Sequence, residues 1–343
     1  MASDSVRSKS HGFALDGWRL DSIVTALSIL VMVGIGLDAQ AHAAGNLSFA
    51  EEGFFTPEHV FFYTAALGVA VVLGVATWRN RRTGADWIGA VPEGYGIGVL
   101  GVLLFGLGGV GDFFWHSAFG FEQGTEALTS PSHLAIATGG VLFLSAPLRS
   151  VWRRSDPVSS AGMLSGLVSA TLAFSLFGLF ASLLNPIATG TIFSPYEASM
   201  QIGIMGFMVF PAVLVGVGLL LALRFDLPPG ALTLVYLGPA LMGVAVRPEH
   251  APLVGSAVAA GVVADLLVSL YPPRTRHAPS LRLFGGLVPL AFGVSHVALA
   301  RFAFAESIAW SVHIWSGAVT LGLLGGLVVS YLVVPDASRG IAG

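Results

Sequence analysis

Long apolar segments separated by short polar turns alternate along almost the whole chain. About 20 apolar residues are enough to cross a bilayer as a helix. The sequence contains ten such segments, near residues 22–40, 57–78, 89–111, 131–150, 160–184, 195–223, 230–246, 250–271, 281–300 and 307–334. Because the connections are short, the pattern predicts an all-α integral membrane protein whose ten transmembrane helices form five helical hairpins with internal repeats.

The basic residues predict an orientation for these helices. Of the 16 Lys and Arg residues, all except Arg247 and Arg301 fall on one side of a ten-span arrangement. Cytoplasmic loops carry the excess of Lys and Arg, so both termini are predicted to be cytoplasmic. The membrane is predicted to be the plasma (inner) membrane. The expected organisation is a cytoplasmic segment (1–21), a single membrane domain (22–334) and a cytoplasmic tail (335–343).

Composition narrows the function classes further. Hydrophobic residues make up 55% of the 343 and charged residues only 10%, with a mean hydropathy of +0.81, which excludes a soluble domain and makes the lipid bilayer the main partner. No basic cluster indicates nucleic-acid binding. The absence of Cys excludes disulfides, thiolate metal sites and haem attached through cysteine.

A repeated set of ionisable residues carries the candidate chemistry. Two stretches 74 positions apart share one spacing: the first has Asp38, His42, Glu52 and His59, and the second has Asp112, His116, Glu126 and His133. A third stretch keeps His296, Glu306 and His313, with Phe292 at the Asp position. Six of the nine histidines fall in this frame, which indicates duplicated hairpins rather than random scatter.

The spacing predicts where these side chains lie on the helices. An Asp and a His four residues apart share one helical face, so each pair lines the end of an outgoing helix. The returning helices open with Thr56-Pro57 and Ser130-Pro131, where Thr or Ser suits the N-cap and Pro suits the first helical position. Each second His therefore lies in a first turn, and the predicted topology places every copy at the outer membrane face.

Two imidazoles and one carboxylate suit a divalent transition metal and leave coordination positions open. An Asp near lipid is costly unless it is compensated, and a bound cation would compensate Asp38 and Asp112. The residues leave copper, zinc and non-haem iron as candidates, and they allow separate sites or one shared site. Glu52, Glu126 and Glu306 lie in the turns as hydrogen-bond partners of ligating histidines, as metal ligands or as solvated groups. Asp265, inside the eighth span, is a candidate proton relay or helix contact.

Two sequence blocks resemble a known family. Asp112-Phe113-Phe114-Trp115-His116 followed by Ser130-Pro131-Ser132-His133 is similar to the C subunit of the copper membrane monooxygenases that oxidise methane and ammonia. Phe55-Thr56-Pro57-Glu58-His59 with Phe61-Phe62-Tyr63 resembles the second half of the same motif. The resemblance implies copper, held by Asp112, His116 and His133, with Asp38, His42 and His59 as the duplicate. It also implies a partner subunit with cupredoxin-like domains.

The preferred hypothesis is a membrane oxidoreductase of the monooxygenase type. Copper at the Asp/His/His sets would serve the oxygen-dependent oxidation of a small apolar or ammonia-like substrate, with electrons from quinol or a partner, in an oligomer. The alternative is a non-catalytic transition-metal transporter, chaperone or sensor, with Asp265 further along a permeation path. Two further hypotheses are a haem- or quinone-binding electron carrier and a purely structural role.

Overall fold

The computed structural model describes residues 17–43, 53–120, 122, 126–155, 158–273, 277–304 and 307–333. The regular elements in these ranges are helical. The α-helices are α1 (Gly17–Ala43), α2 (Pro57–Arg82), α3 (Gly96–Phe119), α4 (Glu126–Thr129), α5 (Pro131–Leu144), α6 (Ala146–Arg153), α7 (Ser160–Phe180), α8 (Pro186–Thr189), α9 (Glu197–Arg224), α10 (Ala231–Val246), α11 (Val254–Leu270), α12 (Ala278–Phe302) and α13 (Val312–Leu332). Short 3₁₀ helices cover Ser182–Leu184, Thr191–Phe193 and Pro248–Leu253.

The predicted fold class, an all-α membrane protein of about ten helices, is confirmed. Within the described ranges, nine helical segments are long and apolar enough to cross a membrane, with α5 and α6 counted as one segment. The tenth, α10, is also apolar but has only 16 residues.

The third predicted span differs from the observed helix at both ends. Residues 89–111 were expected, whereas α3 runs from Gly96 to Phe119. Residues before it form turns, including Gly94 at φ +86, a conformation that favours glycine. At the other end the helix continues until Gly120, at φ +80. Asp112 and His116 consequently lie inside the last two turns of α3.

Four of the five predicted hairpins pack as neighbouring helices: α1 with α2, α3 with α5, α10 with α11, and α12 with α13. The third predicted hairpin is different, because α7 packs mainly on α10 and α1, whereas α9 packs on α13 and α12. The connection between α7 and α9 is a series of short helical turns with buried residues such as Asn185 and Ile187.

Small residues bring α3 and α5 into close contact. A Cβ atom at Gly139 would lie 2.5 Å from the backbone nitrogen of Phe105, and one at Gly101 would lie 2.7 Å from the carbonyl oxygen of Gly139. Small residues allow such close approach of membrane helices. Nearer the second repeated set, a Cβ atom at Gly108 would lie 2.9 Å from the backbone nitrogen of Ile136, so the two helices are also close there.

The apolar interior forms two clusters. One is centred on α1, α2, α3 and α5, with Phe62, Phe105 and Phe143 buried. The other is centred on α9 to α13, with Phe207, Tyr236 and Phe284 buried. Helices α7 and α10 contribute to both clusters, so they join the two halves of the molecule.

A buried charge pair ties together the end of the bundle opposite the repeated sets. Asp21, at the start of α1, is fully buried, accepts a hydrogen bond of 2.8 Å from the Tyr95 hydroxyl and pairs with Arg154. A buried carboxylate requires such partners, because removing one of them leaves an uncompensated charge. We assign this cluster a structural role.

Candidate metal centre

Helix caps position the second histidine of each complete copy. The Thr56 hydroxyl accepts a hydrogen bond of 3.2 Å from the backbone N–H of His59, and the Ser130 hydroxyl accepts one of 3.4 Å from that of His133. Pro57 and Pro131 occupy the first helical positions. The predicted N-cap chemistry is therefore confirmed at both returning helices.

The second repeated set, which we call the second metal group, consists of Asp112, His116 and His133. Oδ1 of Asp112 lies 3.3 Å from Nε2 of His116 and 3.1 Å from Nε2 of His133. Asp112 and His116 are fully buried. One oxygen of a buried carboxylate thus faces two imidazole nitrogens from two helices.

The first metal group consists of Asp38, His42 and His59. Oδ1 of Asp38 lies 3.3 Å from Nε2 of His59, and Oδ2 lies 3.8 Å from Nε2 of His42. Asp38 and His42 are half-buried, whereas His59 is buried. The residue types are those of the second metal group, but the two imidazoles face different carboxylate oxygens and the group is more open.

The hydrogen bonds of two imidazoles indicate which ring nitrogen could bind a cation. Nδ1 of His59 lies 2.6 Å from the carbonyl oxygen of Phe54, and Nδ1 of His116 lies 3.1 Å from that of Gly120. A carbonyl oxygen only accepts, so each Nδ1 carries the proton, and Nε2 of the neutral ring presents a lone pair. In both groups this lone pair faces a carboxylate oxygen, and the two electron-rich atoms repel each other. A cation bound between the nitrogen and the oxygen would attract both.

The donor atoms have the separations that a transition-metal ion requires. Ligand atoms about 2.0–2.1 Å from a tetrahedral ion lie about 3.3–3.4 Å from one another, and three of the four measured separations are 3.1–3.3 Å. Oδ1 of Asp38 and Oδ1 of Asp112 are buried and accept no hydrogen bond from the described residues. Metal-binding histidines commonly donate the second ring N–H to a carbonyl oxygen, as His59 and His116 do. Each group could hold one metal ion.

Both metal groups line one cavity of about 350 Å³. Asp38, His42, His59, Asp112 and His133 form its polar wall. Most of the remaining lining is apolar and comes from α1, α5, α7 and α9, including Ile35, Ile136, Leu176, Leu179 and Ile202. Residues of α4 and of the connection between α7 and α9, together with Arg247, also line the cavity.

The two groups are also in contact with each other outside the cavity wall. The rings of His59 and His116 lie 6.2 Å apart, centre to centre, and are nearly parallel. The Tyr63 hydroxyl, one helical turn beyond His59, donates a hydrogen bond of 3.3 Å to Oδ2 of Asp112. The sequence left open whether the copies form separate sites or converge, and the structure brings the first two copies side by side.

The third copy does not form such a group within the described residues. His296 is fully buried between the rings of Phe207 and Phe292, and its Nδ1 lies 3.3 Å from the Ser256 hydroxyl. His313, by contrast, is exposed in the first turn of α13. Phe292, at the position of the Asp, is itself buried and supplies packing instead of a ligand.

The three glutamates of the repeated sets were expected to be hydrogen-bond partners of ligating histidines, metal ligands or solvated groups. Glu126 is exposed at the start of α4, and Glu52 and Glu306 lie outside the described residues. Glu122, which the spacing argument missed, lies beside the second metal group, with Oε2 3.1 Å from Nδ1 of His116. Its only sequence signal is an acidic residue close after His116, at a position where the first copy has Ser48.

No protein-family model, curated protein or solved structure matches this chain. The resemblance to copper monooxygenases therefore remains a prediction, and the functional argument rests on the geometry of the two metal groups and of the cavity that they line.

Proposed function

We propose that this protein is a membrane copper protein of the monooxygenase type, which oxidises a small apolar or ammonia-like molecule bound in the cavity. The observation that carries this proposal is the position of both metal groups on one wall of a largely apolar cavity. An apolar pocket beside a metal suits a small apolar substrate.

The charges around the cavity support two bound cations. Asp38, Asp112 and Glu122 have buried carboxylate oxygens, and none of them pairs with a Lys or Arg among the residues that the structure describes. Buried carboxylates without compensation are strongly unfavourable. Two divalent ions would compensate all three.

Copper is proposed because the reaction requires a redox-active metal. The donors are imidazole nitrogens and carboxylate oxygens, for which copper(II) has the highest affinity among the first-row divalent ions. This choice favours copper over zinc and non-haem iron, and it agrees with the family that the two sequence blocks resemble. When bound, copper would supply the activation of dioxygen.

The protein side chains would supply position and environment for that chemistry. Asp112, His116 and His133, with Asp38, His42 and His59, hold the metal at the cavity wall. The aliphatic side chains of Ile136, Leu176 and Leu179 present an apolar surface to the substrate and keep water away from it. Low polarity around a metal strengthens the electrostatic interactions of its ligands.

The proposal also includes the source of the electrons and the location of the sites in the membrane. Quinol in the membrane, or a partner subunit with cupredoxin-like domains, would deliver the electrons, and the working form would be an oligomer. The distribution of basic residues favours the outer face of the plasma membrane for both metal groups and the cytoplasm for both termini.

The transport hypothesis placed Asp265 on a permeation path, but the hydrogen bonds of Asp265 do not favour that role. Oδ1 of Asp265 accepts a hydrogen bond of 2.9 Å from the backbone N–H of Leu232, and Oδ2 accepts bonds from the N–H and hydroxyl of Thr233 at 3.0 and 2.7 Å. Asp265 thus caps the start of α10 from a neighbouring helix. Its oxygens are committed to structure rather than to a moving ion.

The proposal is tested by product formation with the full-length protein in lipid nanodiscs. Copper-loaded protein is expected to consume oxygen and form hydroxylated product from a short alkane, or hydroxylamine from ammonia, when a quinol is supplied. Asp112→Asn should abolish product, whereas His313→Asn, in the exposed third copy, should leave it unchanged. Tight copper binding without product, with quinol and with a cupredoxin-type donor, would contradict the monooxygenase assignment.

A further inference from the structure

The two metal groups share one spacing but not one environment. In the first metal group the carboxylate and one imidazole are half-buried, and one donor separation is 3.8 Å. In the second metal group Asp112 and His116 are fully buried, and both separations from the carboxylate are 3.3 Å or less. Two residues that the repeat does not duplicate, Tyr63 and Glu122, lie against the second metal group.

Tyr63 holds the carboxylate of the second metal group. Its hydroxyl donates to Oδ2 of Asp112, which leaves Oδ1 to face the two imidazoles. The phenol ring is fixed by Phe62 and Phe105, at ring-centre distances of 4.3 and 5.9 Å. The position equivalent to Tyr63 in the second copy, 74 residues further on, is Ala137. Ala137 has no hydroxyl that could donate to Asp38.

Glu122 acts on the other side of the same group. Its Oε2 lies 3.1 Å from Nδ1 of His116, and neither of its buried oxygens has a hydrogen bond within the described ranges. The His116 N–H is bonded to the carbonyl oxygen of Gly120, so Glu122 adds negative charge beside a ring that is already oriented. A carboxylate behind a ligating histidine makes that histidine a stronger donor.

In the first metal group a backbone carbonyl orients the corresponding imidazole. Nδ1 of His59 donates to the carbonyl oxygen of Phe54, and the ring of Phe54 stacks on His59 at 4.9 Å.

We propose that Tyr63 and Glu122 are positioning residues that make the second metal group the tighter of the two sites, so that it fills first. This inference rests on the proposed function only in taking both groups to bind copper. It assigns the two copies different roles: the second metal group holds its ion permanently, and the first, nearer the open cavity, exchanges its ion more readily.

The test measures Cu(II) binding to metal-free, full-length protein in detergent micelles, by competition with a chelator of known affinity. An Asp38→Asn/His42→Ala background isolates the second metal group. On this background Glu122→Gln is expected to weaken binding by about 10- to 100-fold, and Tyr63→Phe by about tenfold. Glu126→Gln, which changes an exposed acidic residue of the same turn, is the matched control and should bind as the background does.

Electron paramagnetic resonance (EPR) separates positioning from a general loss of structure. Glu122→Gln is expected to change the copper hyperfine coupling of the second metal group, which the control leaves unaltered. In the wild-type protein, the first equivalent of Cu(II) should give the spectrum of the isolated second metal group. Size-exclusion chromatography establishes folding, and if Glu122→Gln does not fold, the order of filling decides the question alone.

The outcomes distinguish this inference from the proposed function. Filling of the first metal group before the second, or equal affinities for Glu122→Gln, Tyr63→Phe and Glu126→Gln, would overturn the inference while leaving copper binding intact. A wild-type protein without tight Cu(II) binding at either group would overturn the proposed function itself.

Discussion

At the scale of single residues, each metal group depends on a carboxylate whose buried Oδ1 faces at least one imidazole nitrogen. Oδ1 of Asp112 lies within 3.3 Å of Nε2 of His116 and of His133, and Oδ1 of Asp38 lies 3.3 Å from Nε2 of His59. Backbone carbonyls fix the protons of His116 and His59 on the opposite nitrogens. The chemistry of the site follows from this orientation more than from the residue types alone.

Gly109 provides a residue-scale test of the support given by Tyr63. A Cβ atom at Gly109 would lie 2.6 Å from Cε1 of Tyr63, whereas one at Gly111 would meet nothing within 4 Å. Gly109→Ala should displace the phenol from Asp112 and lower the free energy of unfolding by about 1–3 kcal/mol, the usual effect of overpacking. It should also weaken copper binding at the second metal group.

Thermal unfolding and copper competition measure both effects of this substitution. Gly111→Ala, in the same turn of α3, is the control and should change neither quantity. If both alanine variants behave alike, the close contact between Gly109 and Tyr63 has no energetic role.

At the scale of helices, the site is built where outgoing and returning helices meet. The Asp/His pairs project from the last turns of α1 and α3, and capped first turns of α2 and α5 present the remaining histidines. The glycines of α3 and α5 bring these two helices together at the second metal group. The cap residues stabilise the helix ends, and the candidate ligands lie at positions that these helix ends bring together.

Removing a cap hydroxyl should therefore affect stability and site geometry together. Thr56→Ala and Ser130→Ala are each expected to lower the free energy of unfolding by about 1 kcal/mol, because the N–H of His59 or His133 loses its partner. Ser311, the N-cap of α13, makes no side-chain cap hydrogen bond, so Ser311→Ala should have little effect. Chemical unfolding in mixed micelles compares the three variants.

Rescue by the conservative substitution completes this experiment. Thr56→Ser keeps the hydroxyl and should restore both stability and copper affinity. An equal loss of stability for Ser311→Ala and Thr56→Ala would contradict the assigned role of the cap.

At the scale of the whole molecule, local features could be predicted from the sequence and contacts between distant segments could not. The apolar lengths, the Pro-bearing caps and the Asp/His spacing each depend on a few neighbouring residues, and the structure contains them as expected. The cavity that both groups line depends on the packing of α1, α5, α7 and α9. The third predicted hairpin is not formed, because α7 packs on α10 instead of α9. Glu122 is placed by the path of an irregular connection, which no periodic pattern encodes.

The central claim is that two ions bind side by side, one at each Asp/His/His group. The most direct measurement is the ratio of tightly bound copper to protein, by elemental analysis after removal of loose metal, in the wild type and in two single variants. We expect two copper ions per chain in the wild type, one in Asp38→Asn, one in Asp112→Asn and none when both are changed. A wild-type ratio near zero, or a ratio that neither substitution lowers, would contradict the account.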